Sequence, residues 1–150
     1  MEHQPPWRVW PGDPGSPVVL HVPHSSTAVP EDVRRCLLLG DDELSTELAR
    51  IPDAHTDQLA LAAAANADLR PWALINAISR LVVDPERFPD EREEMVRVGM
   101  GAVYTRTSLG EPMRTPDPIE EAQLLTSYFH PYADAMTSWW PSDWPRAAKP

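Results

Sequence analysis

The run Val18-Val19-Leu20-His21-Val22 ends on Pro23, and His24-Ser25-Ser26-Thr27 follow before Pro30. β-Branched residues in a short apolar stretch between Pro17 and Pro23 predict a buried strand. Proline has no N–H for a sheet ladder, so the strand has to stop at Pro23 and deliver His24 to the loop beyond it. Ligands bind at strand ends in open α/β sheets, which makes His24 a candidate metal ligand or proton carrier. A loop histidine bonded to the backbone is the plainer alternative. His21, three positions earlier, is expected on the opposite face of a regular strand and is a poor chelating partner for His24.

Helical patterns fill much of the remaining chain. Pro30 to Leu38 reads as a short helix ended by Gly40, and Asp41 or Asp42 caps a second helix through Arg50, with Leu44, Leu48 and Ile51 on one face. An alanine-rich third helix is expected from Asp53 through Asn66. Trp72 to Ala77 predict the next strand, Leu81 to Val83 a short extended piece, and Ala102–Thr107 with Pro112–Thr115 a hairpin. Asp117 and Pro118 start a last helix with an apolar stripe of Leu125, Tyr128, Tyr132 and Met136, kinked at Pro131. Strands alternating with helices predict a layered α/β fold. With 150 residues the chain is read as a single domain, and its 18 prolines mark 1–15 and 141–150 as extended tails.

A net charge of −10 argues against nucleic acid and anionic membranes, which demand a basic face, but leaves room for a small anionic substrate held by local arginines. The start of the chain lacks the basic and apolar stretches of a signal peptide, and no apolar run reaches transmembrane length. The single cysteine, Cys36, excludes an internal disulfide. These features predict a cytoplasmic protein. Beside Leu37 and Leu38, the Cys36 thiol is expected to be buried and inert.

Three further groups have the chemistry of a site. Asp53 and Asp57 are four apart, so both carboxylates can share one helix face; an N-cap for Asp53 and a solvated face for Asp57 are the alternatives. His55, on the stripe that continues to Leu59, is expected to pack. Arg80 and Arg87 flank an apolar run, and a planar guanidinium grips a carboxylate with two hydrogen bonds; an ion pair with Asp84 or Glu86 is the alternative. Ser25 and Ser26 lack a nucleophile elbow and read as loop-capping hydroxyls.

Three segments in order, Pro23-His24-Ser25-Ser26, Asp53-Ala54-His55-Thr56-Asp57-Gln58-Leu59 and Ser79-Arg80-Leu81-Val82-Val83-Asp84-Pro85-Glu86-Arg87, resemble the N-formylglutamate amidohydrolase family. The likeness continues through Val98–Arg106 to Tyr128-Phe129-His130-Pro131, about residues 16 to 138, with Ser26 where the family often has glycine. The resemblance implies a zinc-carboxypeptidase-like αβα fold with an open twisted mixed sheet. It implies zinc-dependent hydrolysis of N-formyl-L-glutamate, or a similar N-acyl amino acid, to formate and glutamate in histidine degradation. Carried onto this sequence, it makes His24 and Asp57 the metal ligands, with Asp53 as the alternative to Asp57, and Arg80, Arg87 and Ser25 the substrate contacts. The family's third zinc ligand and general-base glutamate are expected beyond Pro150. The chain is therefore read as a domain truncated at its C-terminus, the alternative being a non-catalytic remnant or binding module. An uncovered sheet edge and face would then favour self-association.

Overall fold

The computed structural model describes residues 5–138. The Trp139 and Trp140 end and the 141–150 tail lie outside the described residues. A three-stranded sheet forms the centre, with β1 (Trp7–Trp10) antiparallel to β3 (Trp72–Asn76) and β2 (Val19–Val22) parallel to β3 on its other side. β3 is central and buried on both faces, which is why Trp72-Ala73-Leu74-Ile75 reads as a continuous apolar run rather than an alternation. The pairings put Trp10, Leu20, Val22, Ala73 and Ile75 on one face, packed against Ala60 and Leu61 of the third helix, α3 (Thr56–Ala65). The opposite face carries Trp7 and His21, both of which touch Tyr132 of the last helix. Helices on both sides of a small open mixed sheet give the layered α/β arrangement expected from the sequence.

The connection from β2 to β3 contains α1 (Glu31–Arg34), α2 (Asp41–Arg50) and α3. α1 is one turn long, shorter than expected. Cys36 lies past its end and is exposed, contrary to the expected buried thiol. Gly40, not Asp41 or Asp42, is the N-cap of α2, and the Glu43 carboxylate accepts its N–H at 2.8 Å. Leu44 and Leu48 of α2 and Ile51, its C-cap, do share a face, against Leu37, Leu39, Leu81, Tyr104 and Met113. Leu81 to Val83 are fully buried but turned rather than extended. The Ser79 carbonyl accepts from Val82 N–H at 2.9 Å, and its hydroxyl from Leu81 N–H at 3.2 Å. The expected hairpin keeps its turn, Thr107 N–H to Glu111 O at 2.9 Å, but only a single pairing, Arg106 with Pro112.

The C-terminal helix begins at Pro118, with the Asp117 carboxylate capping Ile119 N–H at 2.9 Å. α4 (Pro118–Leu124) and α5 (His130–Ser138) are joined by a π-helical turn, Leu125–Phe129, in which His130 N–H bonds to Leu125 O. A proline ring clashes with the carbonyl four residues back, and the widened turn relieves that clash at Pro131. Among the described residues no helix is long and apolar enough to cross a membrane.

The loop after β1 folds back tightly on the start of β3. A Cβ on Gly12 would stand 2.6 Å from Trp72 N and 2.7 Å from Arg70 O, whereas one on Gly15 would meet nothing within 4 Å. Gly12→Ala is therefore expected to destabilise the protein by about 1–3 kcal/mol, because the backbone atoms it would strike cannot rotate away. Gly15→Ala is the control, with a much smaller effect. Urea denaturation compares the two, and equal midpoints would show that the loop is not held against β3.

Candidate active site around His24

Pro23 ends β2 and turns the chain so that His24 is buried rather than displayed. Its Nε2 lies 2.8 Å from Asp84 Oδ1. Its Nδ1 faces two other carboxylates, Asp53 Oδ2 at 3.4 Å and Glu86 Oε2 at 3.5 Å. Asp84 has no exposed surface and is the most heavily bonded acid of the site. Its Oδ2 accepts from Tyr104 Oη at 2.7 Å and from Arg80 Nη2 at 2.7 Å and Nε at 3.2 Å, while Glu86 N–H donates to Oδ1 at 3.1 Å. Burial alone would push the Asp84 carboxyl up. Hydrogen bonds from His24 and Tyr104, with the charges of His24 and Arg80, outweigh it and hold the group well below the usual carboxylate range. Tyr104 moves the other way: burial and the adjacent Asp84 charge push its phenol up to about 12.

An ionised Asp84 only accepts hydrogen bonds, so His24 Nε2 carries the proton it donates. In neutral imidazole the Nδ1 lone pair then faces Asp53 and Glu86, three acceptors around one space. Either a proton on Nδ1 or a cation satisfies them. Tetrahedral zinc, bound at about 2.0–2.1 Å, sets neighbouring donors about 3.3 Å apart, and both His24 separations fit that spacing. A histidine whose second nitrogen donates to a carboxylate is also the usual way a zinc ligand is oriented. Among the described residues, however, no group of three or more His, Cys, Asp or Glu is placed to hold a metal ion, so the donor set is compatible with zinc but is not a complete cage.

The geometry rearranges several expectations. α3 starts at Thr56, not Asp53, because Pro52 and the left-handed His55 (φ 66°) bend the chain ahead of it. Asp53 and Asp57 therefore do not share a helix face. Asp53, whose N–H donates to the His24 carbonyl at 3.0 Å, stands beside the imidazole, and Asp57 lines a small cavity with Ser25 and Ser26. His55, expected to pack, is exposed. His21 does point to the other face, where its Nε2 meets Tyr132 Oη at 2.9 Å. It nevertheless shares a partner with His24, since its Nδ1 lies 4.0 Å from Glu86 Oε1. Burial pulls the His21 pKa down, against the pull of Glu86.

Arg80 and Arg87 both face Asp84, the ion-pair alternative. Arg87 Nε, at 3.6 Å from Asp84, is a buried donor with no hydrogen-bond partner among the described residues. Glu86 and Tyr104 escaped the sequence reading as site residues. Glu86 sits between an aspartate and an arginine in the Asp84-Pro85-Glu86-Arg87 string and could have been singled out. Nothing in the sequence around Tyr104 signals its bond to Asp84.

The characteristic sequence of N-formylglutamate amidohydrolases matches residues 16–140. The chain belongs to that family. Among solved structures it resembles an N-formylglutamate amidohydrolase from Ralstonia eutropha JMP134, with 22% identity and a TM-score of 0.69 over 89% of this chain and 51% of that one. It also resembles a gene product of Agrobacterium tumefaciens, with 19% identity and a TM-score of 0.59 over 90% of this chain and 49% of the other. At these identities the likeness is one of fold. The chain spans about half the length of each. Among curated proteins no similar sequence is found. The stretch shared with the N-formylglutamate amidohydrolase family contains every residue bonded to Asp84 and begins after β1.

Asp84→Asn is expected to cost about 3–5 kcal/mol at neutral pH, since it leaves Arg80 buried without its counter-charge. The folded pKa of Asp84 is depressed from its ordinary 3.8, so this stabilisation is present above about pH 4 and is lost as pH falls toward the folded value. Denaturant titrations of both proteins should show a constant stability gap above about pH 5 and a narrowing gap below about pH 4. A gap that ignored pH would mean that the charge on Asp84 is not what matters.

Proposed function

We propose that this chain forms part of a zinc-dependent hydrolase site that cleaves the formamide of N-formyl-L-glutamate, releasing formate and glutamate in histidine degradation. The observation that carries the proposal is His24, fixed by Asp84 and facing two carboxylates at metal-ligand spacing. Family membership and the fold of the Ralstonia eutropha enzyme support it. His24 Nδ1 with Asp53 would hold the zinc. Glu86 is a further carboxylate 3.5 Å from the same nitrogen, and Asp57, in the first turn of α3, is the ligand preferred from the sequence, with Asp53 as its alternative. Bound zinc would lower the pKa of a water and polarise the formamide carbonyl. The protein's own part is to keep the imidazole in one tautomer and orientation through Asp84, itself held by Arg80 and Tyr104. Arg87, partly exposed beside Asp84 and Glu93, would meet one of the two substrate carboxylates.

A second reading, a zinc- and carboxylate-binding module without turnover, draws on the absence of a three-donor set among the described residues. Calorimetric zinc titration and a coupled formate assay on the full chain separate the two. Zinc is expected to bind, with His24→Ala and Asp53→Asn each weakening it at least about tenfold and Asp57→Asn changing it little. Formate release abolished by a chelator and by His24→Ala supports hydrolysis. Zinc binding without turnover supports the module. Equal zinc affinity in wild type and His24→Ala would remove both.

A further inference from the structure

A cavity of about 130 Å³ adjoins the His24 loop, lined by Arg8, Trp10, Ser25, Ser26, Asp57, Ile75, Asn76 and Ala77. The loop is pinned to it from both sides. Asn76 Nδ2 donates to the Pro23 carbonyl at 2.9 Å, and the Ser26 hydroxyl donates to the Ala77 carbonyl at 2.8 Å. Ser25, the residue after His24, lines the cavity.

The charges of this cavity are unspent. Arg8 comes from β1, in register with Ile75 of β3, and its guanidinium makes no ion pair or hydrogen bond with any described residue. The Asp57 carboxylate at the start of α3 is likewise unpaired, and the two are too far apart to form an ion pair with each other. By contrast Arg80 gives its bonds to Asp84 and Tyr104, and Arg87 lies between Asp84 and Glu93. A ligand that put a carboxylate on Arg8 and a hydrogen-bond donor on Asp57 would satisfy both at once. Those two groups sit on one carbon in any N-acyl α-amino acid, as the α-carboxylate and the amide N–H. The volume equals about four waters of liquid, enough for that head group and not for a long side chain.

We propose that this cavity is the subsite for the α-carboxylate of an N-acyl amino acid, with Arg8 gripping the carboxylate and Asp57 accepting the amide N–H. The inference rests on the hydrolase reading for its substrate class and adds the residues that read it. Arg8 lies outside the 16–140 stretch that the family shares, so this subsite draws on a strand outside that stretch. The ligand's side chain extends out of the cavity. The acyl carbonyl, bonded to the same nitrogen, would lie on the Ser25 side of the cavity.

NMR shift titration of the full chain with zinc tests the assignment, using two neutral-side-chain probes. N-formyl-L-glutamine keeps the α-carboxylate, and N-formyl-L-glutamine α-amide replaces it with a neutral amide. Wild type is expected to bind the first at least about tenfold more tightly, since a charge-assisted bidentate contact is lost in the second. Arg8→Gln should remove that preference, and Arg8→Lys should restore only part of it, because lysine has no planar fork. Arg8 is exposed, so thermal unfolding should be unchanged in both variants, as should zinc affinity. A preference that survives Arg8→Gln, or the absence of any preference in wild type, would overturn the subsite even if zinc binds as expected. A lowered melting temperature with unchanged ligand preference would instead make Arg8 a structural residue of β1. Loss of zinc binding in His24→Ala is read separately, so the hydrolase proposal and this one stand or fall on different measurements.

Discussion

One buried carboxylate organises this molecule. Asp84 has no contact with solvent, and an ion in that position costs several kcal/mol to desolvate unless its lone pairs are filled. Here they are filled from four directions, by an imidazole, a phenol, a guanidinium and a backbone amide. The donors come from three stretches of chain. The group therefore acts as a knot that ties the end of β2 to the 80–87 segment and to Tyr104. Because filling it requires all the donors in place, the geometry at His24 is inherited from Asp84 rather than set locally.

The apolar clusters bracket this knot. Leu81 packs with Leu37, Leu44, Tyr104 and Met113, and its neighbours Val82 and Val83 pack with Val33, Ile78, Leu124 and Phe129. The four residues Leu81 to Asp84 thus anchor two cores and end in the carboxylate. That is why it turns instead of extending: alternate residues of a strand could not reach both clusters and still place Asp84 against His24.

How much of this was legible depended on the range of the interactions. β2, α2, β3 and the start of α4 follow from local patterns, namely prolines, apolar faces and a capping aspartate, and they stand where the sequence placed them. The position of His24 was legible because Pro23 fixes where the strand stops. The misplacement of Asp53 and Asp57 has one cause. His55 adopts a left-handed backbone that nothing in Asp53-Ala54-His55 demands, and this moved Asp53 out of the helix and beside the imidazole. Tyr104 and Glu86 reach the site through contacts that local reading cannot see. Arg8 was passed over because an isolated arginine in a proline-rich stretch carries no signal until β1 is paired with β3.

The π turn at Leu125–Phe129 acts as a phase shifter. Ahead of it, Leu124 faces the cluster around Val82 and Val83; beyond it, Tyr132 faces the sheet and bonds His21. A regular helix advances about 100° per residue, so the extra residue held in the wide turn decides which side chain meets the sheet. The local avoidance of one proline ring thereby sets the azimuth of α5. Through Tyr132 it also couples the last helix to the rim of the site, where His21 and His24 share the Glu86 carboxylate.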